Sequence, residues 1–167
     1  MKQHEAGVSL IEVMVAVLIM AVGILGMVGL QVTSLQLNRG ALMRAEAMQL
    51  GNDILDRVRA NPTGDYDGIG FDDAPPSSNN CVANTCSTSQ MTDFDVAQWK
   101  CSINSVDEDG DTYPICSTLG ITGALPLGAG SIDVTADVTT VQVRWQSGSE
   151  GQTSTVTLRG RLTNDPI

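Results

Sequence analysis

Histidine is nearly missing from this chain. Its one copy, His4, lies a few residues from the start of 167. A Ser-His-Asp or Cys-His catalytic set needs an imidazole base, and a typical zinc site needs imidazole or thiolate ligands. Basic residues are scarce as well: nine Lys and Arg stand against nineteen Asp and Glu, for a net charge of −10. A surface of that sign repels a phosphate backbone, so no nucleic-acid partner is expected. There is no Cys-x-x-Cys pair and no Cys/His zinc spacing. No glycine-rich phosphate loop sits between a strand and a helix. No cofactor is expected.

The N-terminal segment carries the strongest signal. A short polar stretch ends in Gly7, four residues follow, and then comes one carboxylate, Glu12. An apolar run, Val13 to Leu30, begins directly after it, and the chain stays uncharged as far as Asn38. About 20 apolar residues in a helix span a bilayer. A carboxylate at the mouth of such a segment is a functional candidate, since a central charge costs about 2.5–3.5 kcal/mol on insertion scales. An ordinary secretory signal would place a small-residue cleavage site after its apolar core. Gly23, Gly26 and Gly29 offer no clear site of that kind, and the apolar pattern simply continues. Lys2 on the short side orients the leader to the cytoplasm and the acidic bulk to the far side.

Gly7, Val8 and Glu12 fall, in order, on the last leader residue, the first mature residue and the fifth mature residue of the class III signal of type IV pilins. The segment resembles that signal, and Val8-Ser-Leu-Ile-Glu-Val-Met-Val-Ala-Val is most similar to a PilV-type minor pilin. The resemblance implies cleavage between Gly7 and Val8 by the prepilin peptidase, followed by N-methylation of Val8, where pilins usually have Phe. It implies that Glu12 answers the amine of a neighbouring subunit's first residue. The implied role is a minor pilin that primes type IV pilus assembly in the filament-tip complex and supports motility and adhesion. The implied partners are other minor pilins, the major pilin, the peptidase, the inner membrane and a large tip adhesin. The implied location is the inner membrane with a periplasmic C-terminal part, then the cell-surface pilus (fimbrium). A type II secretion minor pseudopilin shares this N-terminus and is the alternative. A membrane-anchored periplasmic enzyme is the rival from another class, and the lack of histidine after residue 7 argues against it.

Gly23, Gly26 and Gly29 admit two readings. Small residues let membrane helices pack closely. Each glycine also costs about 1 kcal/mol of helix stability relative to alanine, which favours local melting. In pilins the corresponding stretch loosens on entry into the filament, often beside a proline; Gly29 stands near that place here.

The expected fold is α+β: a long N-terminal helix packed on a small C-terminal antiparallel sheet, as in type IV pilins. Residues 1–7 read as the leader and 8–30 as the membrane and polymerisation half of the helix. Residues 31–61 read as its amphipathic half, with Met43, Ala47, Leu50, Ile54 and Val58 at steps of three and four. Asn61-Pro62 should stop it. Residues 62–130 read as a loop-rich region, with a helix near Thr92–Lys100 capped by Thr92 or Asp93. Residues 131–167 read as the sheet, with Val141, Val143 and Trp145 alternating on one strand, a turn over 147–151, and Val156, Leu158 and Leu162 on the next.

Cys81, Cys86, Cys101 and Cys116 would pair in an oxidising periplasm. Three pairings are possible; Cys81–Cys86 with Cys101–Cys116 is favoured because near neighbours in a loop-rich segment meet easily. Asp107, Asp109 and Asp111 alternate as calcium ligands can, but the glycine comes too early for an EF-hand loop and Thr118 stands where its bidentate Glu would be. A solvated turn is the preferred reading of that stretch.

Overall fold

A computed structural model describes Gly7, residues 9–147 and residues 151–161. Val8, residues 148–150 of the expected turn, and Leu162 lie outside the described residues. The element order is α1 (Leu10–Ala60), α2 (Thr88–Ile103), α3 (Pro114–Leu119), β1 (Ala129–Thr135), β2 (Val138–Ser147) and β3 (Gln152–Arg161). The chain divides into two compact units, residues 1–41 and 42–167. The first unit holds the apolar part of α1.

The second unit is an α+β body. Its sheet is three-stranded and antiparallel in the order β1-β2-β3. β1 turns into β2 over Ala136 and Asp137, with Ala136 in the left-handed region at φ 54°. A two-residue hairpin requires this, because its turn must match the twist of the strands. The β2–β3 register runs without a slip from Val138↔Arg161 to Ser147↔Gln152. Thr139, Val141, Val143 and Trp145 are buried along β2 and alternate with half-buried partners. A strand's side chains point alternately to opposite faces, so a single apolar face results.

That face packs on the outer part of α1. Ala47, Leu50, Ile54, Leu55 and Val58 share one core with Ile132, Val141, Val143, Trp145 and Val156. A long helix packed on a small three-stranded antiparallel sheet is the type IV pilin architecture. Gly51 is what brings helix and sheet together: a Cβ there would collide with the Leu158 side chain.

The region between helix and sheet is more ordered than the composition suggests. α2 runs sixteen residues from Thr88, not from near Thr92. Its cap is Ser87, whose side chain accepts from Gln90 N at 3.3 Å while Gln90 Oε1 accepts from Ser87 N at 2.9 Å. This Ser-x-x-Gln box satisfies two orphan donors reciprocally. Thr92 instead lies inside the helix and donates back to Thr88 O at 3.2 Å. α3 is a short turn of helix with Pro114 at its start and Gly120, φ 67°, closing it. The expected loop-rich segment 62–130 thus carries two helices.

α2 is fastened to α1 by polar bonds as well as by burial. Trp99, fully buried, donates its indole N–H to Leu50 O at 2.9 Å. Arg57 reaches Asp95 at 3.1 Å, and Tyr66 donates to the same carboxylate at 2.6 Å. Lys100 crosses to the neighbouring loop, donating to Gly70 O at 2.7 Å and Asp73 O at 2.6 Å. Burial pulls its pKa below the ordinary lysine value, and the charges of Asp73 and Asp72 oppose that shift.

Tyr66 carries a pH signature. Burial first, then its bond to the Asp95 carboxylate, push the phenol from an ordinary value of 10.0 to about 12. The folded value lies above the unfolded one. The phenol therefore supports the fold fully below pH 10 and loses that support as pH rises to about 12. The melting temperature is expected to fall across this window. Tyr66→Phe should start lower, having lost the Asp95 bond, and show a flatter alkaline limb. An equally steep limb in Tyr66→Phe would assign the effect to another group.

Candidate assembly surface

The N-terminal segment is positioned by a helix start. Ser9 O accepts from Glu12 N at 3.0 Å and from Val13 N at 3.3 Å, which opens α1. Glu12 therefore sits in the first turn. A carboxylate there is favoured by the unsatisfied N–H groups and the positive end of the helix dipole. It is exposed, as is Gly7. No cation among the described residues lies within salt-bridge distance of Glu12.

The helix that follows offers its apolar side chains on every face. Leu10 is 78% exposed and Leu30 75%, and the intervening Val, Leu, Ile and Met residues are exposed too. A helix apolar all round finds its solvent in lipid or in other helices. By length and composition α1 can cross a membrane.

Gly23, Gly26 and Gly29 lie inside this stretch. A Cβ at any of them would meet nothing within 4 Å of this chain. Packing among the described residues therefore gives no reason for glycine there. Thr33 donates to Gly29 O at 3.1 Å. Such back-bonding by threonine competes with the helix ladder and bends it. The sequence reading missed Thr33. It also missed Gly40, which is equally unpacked. Both were legible, one as a hydroxyl four residues after a glycine, the other as a fourth glycine in the same helix.

The four cysteines lie in the second unit. Cys81 is joined to Cys86 and Cys101 to Cys116, and no free thiol is present among the described residues. The second bridge is fully buried and ties α2 to α3. The first joins cysteines five positions apart and closes a surface loop in which Val82 is 83% exposed.

The Asp107–Asp111 stretch forms a turn closed on itself. Asp107 Oδ1 accepts from Asp109 N at 3.1 Å and from Asp111 N at 2.8 Å. Gly110 adopts φ 88° to complete it. The carboxylate at 107 is thus spent on the backbone, and Asp107, Asp109 and Asp111 do not converge. Among the described residues no three His, Cys, Asp or Glu side chains are grouped to hold a metal ion.

Residues 2–28 match the model of the prokaryotic N-terminal methylation motif, and residues 29–97 match the family described as type IV pilin Tt1218. Together the two matches show a type IV pilin. The methylation motif spans Gly7, Val8 and Glu12, and the family match covers the rest of α1 and the first part of α2. No curated protein and no solved structure matches the chain. Pilins are structural subunits rather than enzymes. The methylation motif and the apolar helix fit a membrane-anchored subunit that is processed by the prepilin peptidase, assembles with other pilins and ends in the pilus.

Proposed function

We propose that this pilin is a minor, PilV-type subunit that primes type IV pilus assembly near the filament tip. The observation that carries the assembly role is Glu12, exposed in the first turn of α1 and followed by a run of apolar side chains that nothing in the chain covers. Cleavage after Gly7 creates a charged amine on Val8. In the low dielectric of packed helices, a carboxylate needs such a partner, and the pair fixes the register between neighbours. Gly23, Gly26 and Gly29, with Thr33, supply a stretch of α1 that gives way when the subunit leaves lipid for the filament. The PilV-type assignment rests on Val8–Val17, on Gln98-Trp99-Lys100-Cys101 and on the two disulfides that pin the large middle region. The C-terminal part faces the periplasm in the membrane pool, and its neighbours are other minor pilins, the major pilin and a large tip adhesin.

Processing is tested by intact mass. The mature protein is expected to lack residues 1–7 and to carry one added methyl group on Val8. A chain still beginning at Met1, or trimmed beyond Leu30, contradicts the reading. In sheared pili, peptides of this chain are expected at a small fraction of the major pilin's abundance. Abundance equal to the main subunit's would make it the major pilin instead.

A further inference from the structure

The loops before and after α2 and the β1 end of the sheet line a groove of about 210 Å³. Phe71, Tyr113 and Leu127 give it apolar walls, while Asp72, Asp73, Asp107 and Glu108 line it with carboxylates. The chain already seats one guanidinium here. Arg144 lies over the Phe71 ring at 4.3 Å and bonds Asp72 at 2.7 Å. Aromatic face plus carboxylate is the chemistry that holds arginine. Arg144 takes Asp72, Asp73 accepts from Gly70 N and Asp107 from its own turn, which leaves Glu108 for a second cation. Glu108 is exposed and has no bonding partner among the described residues. Burial, followed by the charges of Asp107 and Glu108, raises the Tyr113 phenol above its ordinary range.

The opposite end of the same sheet carries two arginines on β3, with Asp133 on β1 and Asp137 in the β1–β2 turn. Arg159 and Arg161 are two residues apart on β3, so they share one face. They pair in register with Thr140 and Val138, while Arg144 at the groove pairs with Ala129 and Thr155. Both are exposed, and no carboxylate among the described residues pairs with either. The exposed face of the sheet therefore runs from a carboxylate-lined, aromatic-walled groove at one end to a pair of exposed arginines at the other.

We propose that the groove receives Arg159 and Arg161 of a second copy of this chain. Two different patches meet in such a contact, so it is head-to-tail. Contacts of that type close into rings or extend as open helical arrays. The proposal rests on the assembly reading and adds a second copy of this chain to the neighbours named there.

The test uses the full-length chain, co-expressed with two different tags and captured through one of them from mild detergent. Parent copies are expected to co-purify. Arg159→Glu/Arg161→Glu in both copies should lower the yield at least fivefold, since both ends are then acidic. Glu108→Arg in both copies should lower it at least threefold. Mixing one copy of each variant should restore the yield to within twofold of the parent. Non-reducing peptide maps showing both disulfides establish that the variants fold. As a second measurement, the variant R159K/R161K keeps the charge and gives carbodiimide a primary amine. Intermolecular adducts are expected between position 159 or 161 and Asp72, Asp107 or Glu108. No co-purification of parent copies, insensitivity to charge reversal, absence of rescue in the mixture, or adducts spread evenly over remote carboxylates such as Asp65 and Asp93 would each overturn the proposal. Processing at Gly7 is scored on the same samples by intact mass. Unprocessed protein would fault the pilin reading, and processed protein without the contact would fault only this inference.

Discussion

Glu12→Ala is expected to leave a processed, membrane-held subunit that enters pili poorly. The drop in recruitment should be about tenfold or more, because each tenfold corresponds to only 1.4 kcal/mol and removing one partner of a buried charge pair typically costs about 3–5 kcal/mol. The second unit should be unaffected. Glu12 belongs to residues 1–41, and no residue of the 42–167 core depends on it. Glu12→Asp should rescue in part, because the charge remains and the reach shortens. The measurement is the abundance of the chain in sheared pili divided by its abundance in membranes. Equal ratios for Glu12→Ala and the parent would remove the carboxylate from the mechanism.

Trp99→Ala is expected to cost about 3–5 kcal/mol of stability in the folded unit, the range found for large aromatic residues truncated in cores. Trp99 is fully buried between α1 and the sheet and bonds the Leu50 carbonyl. Gly130 lies directly against it, and a Cβ there would strike the indole ring. The strand therefore has no side chain at that point to refill the space. Trp99→Phe keeps much of the volume and loses the N–H bond, so it should cost less than half as much. Denaturant titration followed by the remaining Trp145 fluorescence gives both numbers. A loss below about 1 kcal/mol for Trp99→Ala would mean that the core collapses around the gap instead of leaving a cavity.

The N-terminal half was legible because its information is local. The Gly7-to-Glu12 spacing, the apolar run and the proline stop at Asn61-Pro62 are each contained in a few adjacent residues. A helix pattern with period 3.6 and strands with period 2 likewise declare themselves in short windows. That is why Leu50, Ile54 and Val58, and Val141, Val143 and Trp145, read as core residues from their spacing alone.

The middle region was not legible for the opposite reason. Its glycine, proline and serine content masks two helices. The Ser87–Gln90 box is a local signal of the kind that reads from sequence, and the residues Thr92 and Asp93 drew attention away from it. Other features are non-local. Nothing in the sequence says that the Lys100 ammonium caps two carbonyls at Gly70 and Asp73, or that Tyr66 and Arg57 share Asp95. Those contacts join residues far apart in the chain, and burial decides which polar groups must find partners.

The sequence by itself determined that this is a chain with an N-terminal methylation motif, a long apolar helix, one carboxylate at its mouth and an acidic, cysteine-bearing remainder. It did so because cleavage, insertion and charge are properties of short segments. Only the tertiary structure decided that Asp107 is consumed by its own turn, that Gly23, Gly26 and Gly29 pack on no described residue, and that Asp72, Asp73 and Glu108 line one groove with Phe71 and Tyr113. Those facts depend on which loops the core brings together, and that follows from how helix and sheet close over Trp99.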